Sequence, residues 1–468
     1  MVSNIIERWD ELLYPKRFRV SRAKGTTEYK GTNYNRIPFD SDYLRIALSS
    51  PFRRLQDKAQ VFPLDTNDFS RTRLTHSVEV SGIGRSIGTS VEKILIEKKL
   101  LSDKKFGHIP SLLSVAGLVH DIGNPPFGHF GEKTIQNYFD TLLNGKQFNQ
   151  FTDEEKNDFK KFDGNVQGFR LLLKLGLSDD EYSFNFTFPV LSSIIKYPKS
   201  STKGNASDWE EKGIEFKKFG FFQSEKNKYE EINNLLKLNS SRHPLTFLLE
   251  AADDIAYCVS DIEDGVKKKI ISSDFILNLL KSEKYSSDEK CVSLLNQLTE
   301  YSKKINDFPF KELLFAQECR IKAQSIMIQD SVNEFIDSHE KLLNGEYHGE
   351  LLKSSKSFQL REFFEEIANK NFNYEEVLKN EIVGEKVVYT LLDYFVPAIL
   401  SENCTKKGTK ENKLYELISS HYKYINKYFE SYPNETYKKL LLVTDYISGM
   451  TDTYALTLYQ ELTGIKMI

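Results

Sequence analysis

Residues 111–132 read Ser-Leu-Leu-Ser-Val-Ala-Gly-Leu-Val-His-Asp-Ile-Gly-Asn-Pro-Pro-Phe-Gly-His-Phe-Gly-Glu. The part from Ser111 to Ile122 is apolar nearly all round, through Leu112, Leu113, Val115, Ala116, Leu118 and Val119, which predicts a helix at the centre of a helical core. Gly123 and the Pro125-Pro126 pair then end it. His120 and Asp121 stand at its foot, where burying an imidazole and a carboxylate together is costly unless a cation or a partner satisfies them.

Two further helices flank this one in the sequence. From Thr75 to Glu97, Val80, Ile83, Ile87, Val91 and Ile94 recur at spacings of three and four and mark one buried stripe. His76 lies four residues before Val80 and shares that stripe. From Pro244, a favoured first-turn residue, to Asp264, the core side is Leu248, Leu249, Ile255, Val259 and Ile262, with Gly265 as the expected stop. Asp253 and Asp254 sit in its middle and pose the same burial problem as His120-Asp121. Between the second and third helices, Gly164, Gly168, Pro198, Gly204 and Gly220 punctuate shorter helices and loops, and Ser200–Ser207 reads as an exposed loop. Strand signals are weak, with Lys218–Phe222 and Val387–Tyr389 the only candidates, so the fold class is all-α.

A divalent cation resolves both burial problems. Imidazole nitrogen and carboxylate oxygen together suit manganese, iron, cobalt, nickel or zinc, and magnesium less well. The expected ligands are His76, His120, Asp121 and one of the Asp253/Asp254 pair, so that one ion would clamp three helices. An octahedral ion with four protein ligands keeps positions open for water and a phosphate oxygen.

Composition bounds the rest. With 468 residues, 40% hydrophobic, 28% charged and a net charge of -3, the chain has material for a large core and no broad basic surface of the kind obligate nucleic-acid binding needs. The short runs Lys267-Lys268-Lys269 and Lys406–Lys410 read as solvated faces. Four scattered cysteines without a Cys-x-x-Cys pair argue against a disulfide framework and a thiolate zinc site, and fit a reducing, cytoplasmic setting. The N-terminus does not read as a signal peptide, and the most apolar run, Val387–Leu400, is too short to span a bilayer and contains Asp393. The unusual clusters concentrate before residue 271, which separates a catalytic core (1–271, with a middle insertion) from a helical C-terminal region (272–468).

The ordered motifs resemble the HD-domain phosphohydrolases, and within them the deoxyguanosine triphosphate triphosphohydrolases. The match is carried by Arg71-Thr72-Arg73-Leu74-Thr75-His76-Ser77, the run His120–Glu132, and Glu250-Ala251-Ala252-Asp253-Asp254-Ile255-Ala256-Tyr257. Phe162-Asp163-Gly164-Asn165, Lys196-Tyr197-Pro198, Lys218–Phe222 and Asp445–Asp452 extend it over nearly the whole chain. The resemblance implies a metal-dependent enzyme that hydrolyses a deoxynucleoside triphosphate at the α-phosphorus, releasing deoxynucleoside and inorganic triphosphate, with manganese the first choice of ion. It makes Asp253 the fourth ligand and places Tyr257 and Asp261 against the deoxyribose; spaced by four, these three residues fan over about 80° of one helix face.

The resemblance also makes His129 and Glu132 the catalytic dyad, and their spacing of three lets the carboxylate orient the imidazole. It assigns Arg73, Lys196, Tyr197 and Lys218 to the triphosphate and Gln60 to the sugar, with Lys217 the alternative if the register shifts by one. Thr453 departs from the family pattern, where many relatives carry arginine after Met-Thr-Asp. The expected partners are a dNTP substrate, a nucleotide or single-stranded DNA effector and further copies of the chain, with no membrane. Two other functions compete: an HD phosphohydrolase acting on a nucleoside monophosphate or signalling nucleotide, and a regulatory single-stranded nucleic-acid-binding protein with a retired site. The first accounts for the metal ligands but leaves the His129/Glu132 segment and the Asp253, Tyr257, Asp261 face without a specific role; the second is at odds with a full set of ligands.

Overall fold

The computed structural model describes residues 2–19, 37–64 and 70–465. Among them the fold is all-α, and the only β pairing is an isolated bridge between Ala59 and Thr72. The helices that build the site begin with α1 (Arg73–Glu97), α2 (His108–Val119), α3 (Gly128–Leu142), α4 (Gly164–Arg170) and α5 (Pro244–Lys267). The C-terminal region supplies α6 (Lys311–Asp337), α7 (Phe358–Phe372), α8 (Glu375–Leu400), α9 (Glu435–Ser448) and α10 (Asp452–Thr463).

Helix α2 is the central one: every residue from Ile109 to Val119 is buried. It packs most extensively against α1, whose Val80, Ile83, Ile87 and Val91 form the expected stripe. The stripe closes on Leu95, with Ile94 half-buried. Two small residues allow the pair to close up. A Cβ on Gly117 would stand 2.6 Å from the Ser81 backbone, so the helices cross nearly backbone to backbone. One on Gly123 would stand 2.0 Å from the Gly168 amide nitrogen, which seats the turn after α2 against α4.

Helix boundaries follow local chemistry. α1 starts at Arg73, two residues before the periodic pattern, because Thr72 and Thr75 form a reciprocal capping box. α5 starts at Pro244, capped by the His243 side chain, and runs past the expected stop at Gly265 to Lys267. Gly265 stays helical because its missing side chain makes room for neighbours: a Cβ there would meet Ile271 at 2.3 Å and Asn371 at 2.5 Å.

Neither strand candidate forms. Val387–Tyr389 lies inside α8, where Val387, Val388, Leu391, Leu392, Phe395, Val396 and Ile399 are buried on a helical period. Lys218–Phe222 is irregular. The 200–207 loop is also less exposed than its composition suggests, with Ser201 and Gly204 buried. One continuous apolar core crosses residue 271, joining α1, α2 and α5 to α6–α9. No helix among the described residues is long and apolar enough to cross a membrane.

The crossing at Gly117 generates a stability prediction. Gly117→Ala forces the Ser81 backbone away and costs ~1–3 kcal/mol, as over-packing does; the urea unfolding midpoint, followed by circular dichroism, should fall accordingly.

Candidate metal centre and catalytic site

The α1–α2 crossing brings His76, in the first turn of α1, beside His120, which directly follows α2, with ring centroids 5.3 Å apart. Asp121 follows His120, and ligand atoms of His76, His120 and Asp121 all lie within 4.8 Å of one another. The Asp253 Oδ1 atom approaches from α5, 3.1 Å from His76 Nε2 and 3.3 Å from His120 Nε2. Asp254 turns away and accepts from Arg361 Nε at 3.1 Å. Of the two adjacent acids, therefore, only Asp253 faces the histidines.

The donor set fits a cation on an observation independent of its composition. His120 Nδ1 lies 2.8 Å from the Gly117 carbonyl oxygen, which can only accept, so Nδ1 carries the proton. The neutral ring then aims the Nε2 lone pair at two carboxylates, Asp253 at 3.3 Å and Asp121 at 3.6 Å, and Nε2 is buried without a hydrogen-bond partner. A lone pair facing two anions calls for a positive charge between them, a proton or a metal ion. Burial opposes protonation of His120, and the Asp253 and Asp121 carboxylates overcome it and raise its pKa.

The carboxylates are held ionised from behind. Burial pushes Asp121 up, but Arg73, whose guanidinium donates to Asp121 Oδ2 at 2.6 Å, holds it well below the usual carboxylate range. Burial likewise opposes ionisation of Asp253, and Lys196, donating at 2.9 Å, and His120 hold it well down. Two of the expected triphosphate cations thus contact expected metal ligands directly.

His129 and Glu132 form the expected hydrogen bond, 2.9 Å between Nδ1 and Oε2. The Glu132 side chain is buried and its other oxygen accepts from the Gly164 amide at 2.6 Å, whereas the His129 side chain is 82% exposed. The Glu132 bond, opposed by burial, raises the His129 pKa. The segment enters α3 through consecutive left-handed residues, Phe127 at φ 63° and Gly128 at φ 57°. A Cβ on Gly128 would lie 2.6 Å from an Arg73 terminal nitrogen, so Arg73 bridges the Asp121 carboxylate and the His129 loop.

Lys218 is ion-paired with Asp163, just before Gly164, while Lys217 lies over the Trp209 ring at 5.2 Å; only Lys218 points toward the dyad side. Tyr197 is buried with the Arg242 guanidinium 5.6 Å from its ring, and burial pushes its hydroxyl up to about 12. Tyr257 stacks on Phe372 at 6.1 Å. Asp261, 2% exposed, has Oδ2 without a partner, and burial raises its carboxyl well above the usual range. Gln60 Oε1, Arg73 Nε and His76 Nδ1 are buried without partners too. A bound molecule would satisfy these polar atoms.

Sequence reasoning missed three contributors. Lys58, 3% exposed, donates to the carbonyls of Asn124 at 2.5 Å and Ser448 at 2.8 Å. Asp452 accepts from the backbone of both Ala59 and Phe127. Arg361, on α7, neutralises Asp254. The Asp452 motif was visible as a match without a role. Thr453, the departure beside it, donates to Asp57 at 2.7 Å and so faces the segment before Lys58.

Residues 73–174 match the HD domain family and residues 401–461 the phosphohydrolase-associated domain. The chain is 38% identical to a deoxyguanosinetriphosphate triphosphohydrolase-like protein of Listeria innocua, over 98% of this chain and all of that one. It is 34% identical to a protein of the same description from Synechocystis, at the same coverage, and 32% identical to the deoxyguanosinetriphosphate triphosphohydrolase of Klebsiella pneumoniae, over 92% of this chain and 94% of that one. Matched at such identity along nearly its whole length, the chain belongs to the deoxyguanosinetriphosphate triphosphohydrolase family of HD-domain phosphohydrolases.

Proposed function

We propose that the chain hydrolyses deoxynucleoside triphosphates, dGTP first among them, to the deoxynucleoside and inorganic triphosphate. The observation that carries this reading is the line of groups from His76, His120, Asp121 and Asp253 through Arg73 to His129 and Glu132, with Lys196 and Lys218 alongside. His76, His120, Asp121 and Asp253 would hold a divalent ion, manganese in our reading, which would supply positive charge to a phosphoryl oxygen and lower the pKa of water. Arg73, Lys196, Tyr197 and Lys218 gather the negative charge of the triphosphate. For Arg73 and Lys196 this means sharing each cation between its present carboxylate and a phosphate. Tyr257 and Asp261 face the sugar, and a neutral Asp261 carboxyl can donate to a hydroxyl as well as accept from one. Gln60 closes the sugar side with its unpartnered carbonyl oxygen.

Glu132 fixes the tautomer of His129. Its carboxylate accepts a hydrogen bond from Nδ1–H, so Nε2 faces outward and can exchange a proton with water or with the leaving deoxyribose oxygen. In this reading residues 1–271 are the catalytic core and 272–468 complete the pocket and the subunit contacts. Exposed Leu378, Ile382 and Tyr389 on α8, near exposed Phe130 on α3, support a homo-oligomer. A cavity of about 550 Å³ lined by Arg19, Arg45, Arg54 and His421 supports a phosphate-bearing effector, nucleotide or single-stranded DNA. The substrate class and the four free cysteines support a cytoplasmic setting.

Incubation with dGTP and manganese, resolved by anion-exchange chromatography, should yield deoxyguanosine and triphosphate; pyrophosphate or monophosphate would refute the reaction. His120→Ala should weaken manganese binding in calorimetry by more than the ~10–100-fold that loss of an outer-shell group costs. For Glu132→Gln the sign is set by the charge removed. The anion stabilises the imidazolium, so its loss lowers the His129 pKa, and the limb of the pH–rate profile that reports His129 should move to lower pH whether the residue acts as base or acid.

A further inference from the structure

One side chain of the C-terminal region hydrogen-bonds to the catalytic loop and to the Gln60 segment at once. Asp452 opens α10 and is 2% exposed. Its two carboxylate oxygens are divided between two distant segments: Oδ1 accepts from the Phe127 amide at 2.9 Å, and Oδ2 from the Ala59 amide at 3.0 Å. Phe127 stands two residues before His129, and Ala59 one before Gln60. The segment around Ala59 reaches further, because the Lys58 carbonyl accepts from the Arg73 amide at 2.9 Å and the Gln60 amide donates to Arg71. A single carboxylate therefore sits behind the dyad, the sugar-facing glutamine and the arginine that bridges metal centre and loop.

The segment it holds needs holding. Phe127 and Gly128 are both left-handed, and for phenylalanine that region is unfavourable, so it persists only where the surroundings over-determine it. Two contacts do so. Asp452 fixes the Phe127 amide, and α8 presses on its ring, since a Cβ on Gly384 would stand 2.6 Å from Phe127 Cγ. Downstream, the His129 imidazole is held by Glu132 and otherwise projects outward, so its position is inherited from the backbone. Lys58 ties the same parts from another side, joining Asn124 of the catalytic loop to Ser448 at the end of α9.

The geometry points to Asp452 as a positioning residue that sets His129 and Gln60 in register with each other, and so makes turnover depend on the C-terminal region. This rests on the proposed dNTP hydrolysis for its kinetic consequence, and on the structure alone for the clamp. Any partner that shifts the start of α10 would move both sides of the site at once.

Two variants separate positioning from simple stabilisation. Asp452→Asn turns one acceptor into an amide that confronts a backbone N–H. Asp452→Glu keeps the charge at the start of α10 and displaces the oxygens by a methylene. Each should lower kcat by ~10²-fold, the scale of a misplaced reacting group, and raise KM for dGTP by less than kcat falls because Gln60 moves with Ala59, while calorimetric manganese affinity stays within about threefold. Hydrogen–deuterium exchange should quicken in peptides covering both 57–62 and 122–131. Full kcat in Asp452→Glu, or a fall in melting temperature with exchange in those peptides unchanged, would overturn the proposal; Asp452→Glu decides it if Asp452→Asn does not fold. Should the wild type fail to hydrolyse any dNTP, the functional reading falls, and the exchange data still settle the clamp.

Discussion

Everything at the centre of this molecule depends on keeping two half-buried carboxylates ionised side by side. Asp121 and Asp253 converge on His76 and His120 between packed helices, and their mutual repulsion together with lost hydration would protonate or separate them if nothing answered the charge. Arg73 and Lys196 answer it at 2.6 and 2.9 Å. These cations are also the ones that the proposed reaction directs at a triphosphate. On that proposal, substrate binding would be a redistribution of positive charge already in place, and little solvent would have to be reorganised when phosphate oxygens arrive.

The C-terminal region is bound to that centre by a second buried set of charges. Arg170, 1% exposed at the end of α4, donates to Asp445 with Nε at 2.9 Å and a terminal nitrogen at 2.8 Å, and to Glu225 and Glu430 at 2.7 and 2.9 Å. Lys174 shares Glu430 at 2.9 Å. Such a network is weak evidence for net stability, since its desolvation cost offsets its attraction, but removing one member strands the others. Its effect is geometric: α4 carries Gly164, whose amide holds Glu132, and Asp445 lies on α9, which leads into the Asp452 motif. The dyad is thereby referenced to the C-terminal helices from two directions.

Much of this was legible in the sequence, and the reasons differ by residue. Helices α1, α2 and α5 declared themselves because their apolar periodicity and the burial cost of His120-Asp121 are local properties. The choice of Asp253 over Asp254 needed either a family pattern or the structure, since adjacent helical residues differ by about 100° and nothing local says which faces the histidines. Val387–Tyr389 was misread because three residues contain no period; the surrounding run from Val387 to Ile399 is plainly helical. Lys58 and Asp452 stayed without a role for a deeper reason. Their hydrogen-bond partners lie 66 to 393 residues away along the chain, and all four are backbone groups, which leave no mark on side-chain composition.

The asymmetry of the dyad follows from the same division between buried scaffold and open site. Glu132 is buried and doubly hydrogen-bonded; His129 is 82% exposed. An imidazole oriented from its inner nitrogen needs no outer partner to keep its tautomer, so its outer nitrogen stays available to whatever enters. Loosening the carboxylate would release both orientation and charge, whereas loosening the loop would leave the charge and lose only the placement. The fold separates these two functions physically: Glu132 and Gly164 set the proton, and Asp452, Phe127 and the α8 backbone set the position. That separation lets a region remote in sequence govern placement without disturbing the acid–base character of the group it places.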